Sequence, residues 1–106
     1  MPVLSIIIPN YNSGELLQRC LESIVKNQAD IQVVVIDDGS TDDSAEVVEK
    51  IDHRVKLIRQ NNQGVSVARN NGLAYADGQY VMFADADDCF DPNWTEYVLP
   101  ALQKSA

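Results

Sequence analysis

Four short apolar runs, rich in β-branched residues, recur along this chain with helix-like stretches between them. That alternation restricts the fold more than any other feature. Residues 3–8 (VLSIII) and 31–36 (IQVVVI) are apolar nearly throughout, not at every second position. Strands of that kind need cover on both faces, as in a parallel sheet flanked by helices. Residues 55–59 (VKLIR) and 79–83 (QYVMF) read as the third and fourth strands. Between strands, 14–27 sets Leu17, Cys20, Leu21 and Ile24 on one helical face, with Ser13 or Asn12 as its cap. Residues 41–51 read as a second helix, capped by Ser40 or Thr41 and with acids in its first turn. Residues 64–76 form a third, with Gly78 as its C′ residue. Residues 92–99 form a fourth, capped by Asp91, with Pro92 at its first position and Pro100 ending or kinking it.

The order β-α-β-α-β-α-β-α predicts an α/β fold: a Rossmann-like three-layer α/β/α sandwich with a mostly parallel sheet in order 3-2-1-4. The chain's 106 residues suit a single domain, 1–106. Such sheets bind ligands beyond the carboxyl ends of their strands, where the strand order reverses. Three unusual segments fall at that edge: PNYN (9–12) after the first strand, DDGS (37–40) after the second and ADADD (84–88) after the fourth. The 3-2-1-4 order brings all three into one cleft.

Charge sharpens this. The net charge is −8, from 8 basic and 16 acidic residues, and eight of the acids crowd into DDGSTDD and DADDCFD. No basic stripe exists, which argues against a nucleic-acid partner. The apolar runs are too short to span a bilayer and no basic leader precedes them, so a cytoplasmic location is expected. Cys20 and Cys89 form no CxxC pair, which speaks against structural zinc and an oxidising compartment.

Carboxylates packed this closely repel one another, and something must offset the cost. Asp85 and Asp87, one residue apart after a buried strand, can share a hard divalent cation, magnesium or manganese rather than zinc. A cation that completes its shell with phosphate oxygens points to a diphosphate ligand delivered with its metal. The plain alternative is a solvated acidic loop. That reading is preferred for Asp42, Asp43 and Asp91, which suit helix starts, and both readings stay open for Asp88. In DDGS, Gly39 permits a tight turn, and Asp38 is the candidate to accept a base N–H; otherwise Asp37 and Asp38 cap the helix and satisfy loop amides. Arg69, amid small and apolar residues, can pair with the cleft acids or a ligand phosphate, or simply pack its stem. His53 reads as an exposed loop residue, Trp94 and Tyr97 as core-facing, and Cys20 as a small core residue. Cys89 lies near the cleft without a His partner in sequence and is not proposed as a nucleophile.

Taken together and in order, SIIIPNYN, VVVIDDGSTDDS and NQGVSVARNNGLAYADGQYVMFADADD resemble the N-terminal half of family 2 glycosyltransferases of the GT-A type, over about residues 3 to 103. The resemblance implies a nucleotide-sugar donor, often a UDP-sugar, a Mn2+ or Mg2+ ion, and transfer of the sugar to a hydroxyl of a saccharide or lipid-linked acceptor. By position it implies that Pro9 and Tyr11 line the nucleoside pocket, with Tyr11 against the base. Asp38 would accept from the uracil N3–H and Arg69 would sit beside the nucleotide. Asp85 and Asp87 would form the DxD pair, Asp87 on the metal and Asp85 near the ribose and the metal's water shell. No residue matches the family's later catalytic base, so no catalytic residue is assigned. The chain is therefore expected to be a donor-binding piece of a longer enzyme, peripheral to a membrane in the full-length protein and with little transfer activity alone. Self-association through surface that a missing half would cover is also expected. Rival readings are a non-enzymatic nucleotide-binding module, a metal-dependent nucleotidyltransferase and a phosphoacceptor receiver domain. The nucleotidyltransferase would need a basic, glycine-rich loop after the first strand, where this chain has PNYNSGE. The receiver would need a Lys after a fifth strand.

Overall fold

The computed structural model describes residues 2–26 and 29–105. The elements run β1 (Leu4–Asn10), α1 (Gly14–Val25), β2 (Ile31–Asp38), α2 (Ser44–Ile51), β3 (Val55–Gln60), α3 (Val65–Tyr75), β4 (Tyr80–Phe83) and α4 (Trp94–Ser105). The strands pair in parallel in the expected order β3-β2-β1-β4. In register, Ile7 of β1 faces Val34 of β2 on one side and Phe83 of β4 on the other.

The two sheet faces carry separate cores. Leu4, Ile6 and Ile8 of β1 join Val33 and Val35 of β2, the Leu17–Cys20–Leu21–Ile24 stripe of α1, Val48 of α2 and Trp94. On the opposite face, Ile7, Val34 and Ile36 pack against Ala68 of α3. Both faces of β1 and β2 are thus covered, which is why their sequences lack polar alternation.

Helix ends depart from expectation, and long-range hydrogen bonds explain most of the departures. Neither Asn12 nor Ser13 caps α1 with its side chain; the Gly14 amide donates to Asp42 Oδ2 at 3.0 Å, from the loop before α2. Helix α2 begins at Ser44, not 41, and Asp43 rather than Ser40 or Thr41 holds the cap position. The Thr41 and Asp42 amides donate to Asn12 Oδ1, at 2.8 and 3.3 Å, and Asp42 Oδ1 accepts from Ser44 N at 3.0 Å, where the helix begins. Gly78 is not a left-handed C′ residue. The chain leaves α3 extended at Ala76, and Gly78 lies against β1, where a Cβ would come within 2.6 Å of the Ser5 amide nitrogen. Helix α4 begins at Trp94, beyond Pro92, after a turn in which Asp91 Oδ1 accepts from Asn93 N at 2.9 Å. It also runs through Pro100, whose exposed position accommodates the ring. Trp94 is buried as expected, but Tyr97 is 68% exposed and not core-facing. The last predicted residue of the first helix, 27, lies outside the described residues.

Candidate functional site

The carboxyl ends of β1, β2 and β4 open onto one pocket of about 380 Å³. Pro9, Asn10 and Tyr11 from β1 and its loop line it, with Asp38 from β2, Asp85, Ala86 and Asp87 from the loop after β4, and Ala68 from α3. The volume falls in the range of small-molecule sites. It lies at the carboxyl ends of β1 and β4, the neighbouring strands between which the strand order reverses.

Asp38 is held tightly. Its Oδ1 accepts from Gln60 Nε2 at 2.8 Å and Gln63 N at 2.7 Å, and its Oδ2 from Gly64 N at 3.1 Å. Burial alone would raise its pKa; the hydrogen bonds from Gln60, Gln63 and Gly64 outweigh burial and hold it below the usual carboxylate value. A carboxylate offers about four acceptor positions. Three donors leave room on Oδ2 for one more. Asp37 points elsewhere: fully buried, it accepts from Asn10 Nδ2 and Ser40 N, both at 3.2 Å, and Arg59 Nε lies 3.6 Å away. These bonds tie the end of β2 to β1 and to the turn that follows.

The acidic loop is a closed turn. Asp85 N donates to Asp88 Oδ2 at 2.8 Å, and Asp88 N donates back to Asp85 O at 3.0 Å. Carboxylate oxygens of Asp85, Asp87 and Asp88 come within 4.8 Å of one another, and all three residues are exposed. An all-oxygen donor set of this kind fits Mg2+ or Mn2+. Helix α1 holds the loop from below: Cys20 Sγ lies 3.7 Å from Asp85 O, and Ser23 Oγ accepts from Phe90 N at 2.9 Å. Arg69 reaches the loop from α3, with one terminal nitrogen 3.6 Å from Asp85 Oδ1. Its Nε is buried without a partner among the described residues.

The family model described as Glycosyl transferase family 2 matches residues 5–106. The chain belongs to glycosyl transferase family 2. It is 43% identical over 101 residues to the uncharacterized glycosyltransferase YibD of Escherichia coli, covering 91% of this chain and 29% of that protein. Its fold matches S. aureus TarS 1–349 in complex with UDP-GlcNAc, with a TM-score of 0.88 and 30% identity, covering 96% of this chain and 31% of the other. It also matches the mannosyltransferase PcManGT of Pyrobaculum calidifontis in complex with GDP-Man and Mn2+, with a TM-score of 0.79 and 27% identity, over 87% of this chain and 30% of that one. The chain thus spans under a third of each of these three relatives.

In this family 2 chain, the residues singled out from the sequence gather in or beside one pocket. Pro9, Tyr11, Asp38, Asp85 and Asp87 line it, and Arg69 sits behind Asp85. His53 is remote and exposed, beside Asp52. Cys20 is buried and Cys89 exposed, both as free thiols. Sequence reasoning placed Asn10 in the cleft with PNYN but missed Ser13, Leu16, Asn62, Val65 and Ala68 as lining residues. Leu16 and Val65 did carry a signal. Leu16 stands outside the α1 core stripe and is 44% exposed, and Val65 is 48% exposed at the first turn of α3.

Proposed function

We propose that this chain is the donor-binding unit of a glycosyltransferase. It takes a nucleoside diphosphate sugar, with UDP as the nucleotide, together with Mn2+ or Mg2+, for hexosyl transfer to a hydroxyl of a saccharide or lipid-linked acceptor. The observation that carries this reading is the convergence of Tyr11, Asp38 and the Asp85–Asp87 turn on one pocket in a family 2 domain. The complexes of the two structural relatives, with UDP-GlcNAc and with GDP-Man and Mn2+, support the ligand class.

The residues divide the work by their chemistry. Tyr11, half exposed at the pocket wall, offers a flat ring to a base. Asp38, ionised and fixed by three donors, has one acceptor position left for a base N–H, which favours uracil N3–H. Asp85 and Asp87 supply the oxygens for the cation. When bound, that ion neutralises charge on the departing diphosphate. Arg69, whose side chain is 41% exposed, can turn its terminal nitrogens from Asp85 towards a phosphate. No residue of this chain is assigned as the base that deprotonates the acceptor.

Calorimetric titration of UDP, with and without Mn2+, tests this. Binding that requires both the metal and Asp87, and that disappears in Asp87→Ala, is the expected result. Folded protein that ignores UDP up to about millimolar concentration, a free energy of only about 4 kcal/mol, would sink the reading.

A further inference from the structure

Tyr11 occupies an unusual position in the loop after β1. Tyr11 is half exposed, yet both of its neighbours are tied to one hydroxyl, Asn12 through its backbone amide and Asn10 through its side-chain amide. Ser40 Oγ accepts from Asn12 N at 2.9 Å and from Asn10 Nδ2 at 3.4 Å. Ser40 is itself anchored, since its amide donates to the buried Asp37 at 3.2 Å. Asn12 completes the connection. Its Oδ1 accepts from Thr41 N at 2.8 Å, Asp42 N at 3.3 Å and Thr41 Oγ1 at 3.4 Å. Gly14 N, of the first residue of α1, donates back across the gap to Asp42 Oδ2 at 3.0 Å. Asn12 is also the one non-glycine residue with positive φ, +49°, among the described residues. Side-chain amides tolerate that conformation best, and surroundings that over-determine it are what keep it populated.

We infer that Asn12 is a positioning residue: it clasps the loop after β1 to the loop after β2 and so sets the Tyr11 ring over the pocket. The inference rests on the proposed nucleotide reading for its effect on affinity, and on the hydrogen bonds alone for its effect on the loop. A residue that only stabilises the fold would change melting temperature without coupling to Tyr11. A residue that acts through Tyr11 loses its influence on the ligand once the ring is gone.

The test pairs three variants with two measurements. Asn12→Gly keeps the positive φ accessible and removes the side-chain bonds. Asn12→Asp keeps an oxygen for the two amides. Tyr11→Ala removes the ring. In UDP titrations with Mn2+, Asn12→Gly is expected to weaken binding about tenfold and Asn12→Asp about threefold or less. In the Tyr11→Ala background, Asn12→Gly is expected to change affinity by about twofold or less. An equal loss in both backgrounds overturns the assignment. The second measurement uses the unliganded protein: hydrogen exchange at Thr41 and Asp42, and the NMR order parameter of the Tyr11 amide. Faster exchange and a looser Tyr11 in Asn12→Gly, with β1 unchanged, support the clasp. Unchanged values overturn it, whether or not UDP binds. Failure of wild-type protein to bind UDP counts against the nucleotide reading alone, and the second measurement then decides the clasp.

Discussion

At the scale of single residues, the acidic loop shows that three neighbouring aspartates need not share a role. Asp88 spends one oxygen on the Asp85 amide and closes the turn that presents Asp85 and Asp87. Asparagine keeps an acceptor there and alanine does not. Asp88→Asn is therefore expected to retain metal-dependent UDP binding within about threefold, and Asp88→Ala to lose about tenfold, the scale of one charge-assisted hydrogen bond. A collapse in both variants, read by the same titration, would make Asp88 a metal ligand instead. Titration behaviour is also set residue by residue. Asp42 and Asp52 are held below the usual carboxylate value chiefly by hydrogen bonds from Ser44 and Arg54, and Asp38 is lowered despite its burial. Groups lowered on folding stabilise the native state above their unfolded pKa, about 3.9, and lose that contribution as pH falls through the folded values. The urea midpoint should be flat between about pH 5 and pH 8 and fall below about pH 4, with a shallower acid fall in Asp52→Asn. Cys20 has the opposite sign. Burial first, then the nearby acids and Cys89, push its thiol from 9.0 up to about 12. Its contribution is present below the unfolded thiol pKa and is lost as pH rises from about 9 towards 12. Cys20→Ala, although it lowers stability overall, should flatten that alkaline limb of the urea-midpoint profile.

At the scale of elements, close approach and proline set the sharpest predictions. Gly78 lies where any Cβ would meet the Ser5 amide nitrogen at 2.6 Å, and backbone cannot yield as a flexible side chain does. Gly78→Ala should cost about 1–3 kcal/mol in urea unfolding. Pro100 stands inside α4 with no amide to donate to the carbonyl one turn back. Pro100→Ala should stabilise the chain by about 1–3 kcal/mol, read as a higher urea midpoint. The elements themselves were legible because runs such as IQVVVI and the Leu17–Cys20–Leu21–Ile24 stripe record local periodicity. Their ends were not. The loop before α2 gives its Thr41 and Asp42 amides to Asn12, some thirty positions earlier. The cap of α1 likewise comes from Asp42. No local rule contains such partners. Tyr97 was misread for a related reason, since Trp94, Val98 and Leu102 already fill the face of α4 turned to the core.

At the scale of the whole molecule, coverage of the sheet is uneven. Helix α3 covers β1 and β2 on its face, while β4 stands at the sheet edge with Val81 41% and Phe83 46% exposed. Among the described residues the outer edge of β4 has no partner strand, and edges with half-exposed apolar side chains favour association. Sedimentation velocity should show weak, concentration-dependent self-association that Phe83→Lys reduces; a single monomer boundary at high concentration would remove the idea. No helix among the described residues is long and apolar enough to cross a membrane. What the sequence determined by itself is the order of elements, the parallel sheet and the three loops at one edge, because strand and helix periodicities and right-handed crossovers are local or near-local constraints. The family was legible too, through motifs that keep their order. Only the tertiary structure decided how the carboxylates divide their work. Asp37 turns into the core, Asp38 ties down the Gln63–Gly64 backbone before α3 with one acceptor position to spare, Asp88 closes its own turn, and Asp85 and Asp87 remain at the pocket. The physical reason is that a carboxylate's role is fixed by the donors that surround it, and here those donors come from segments far apart in the chain.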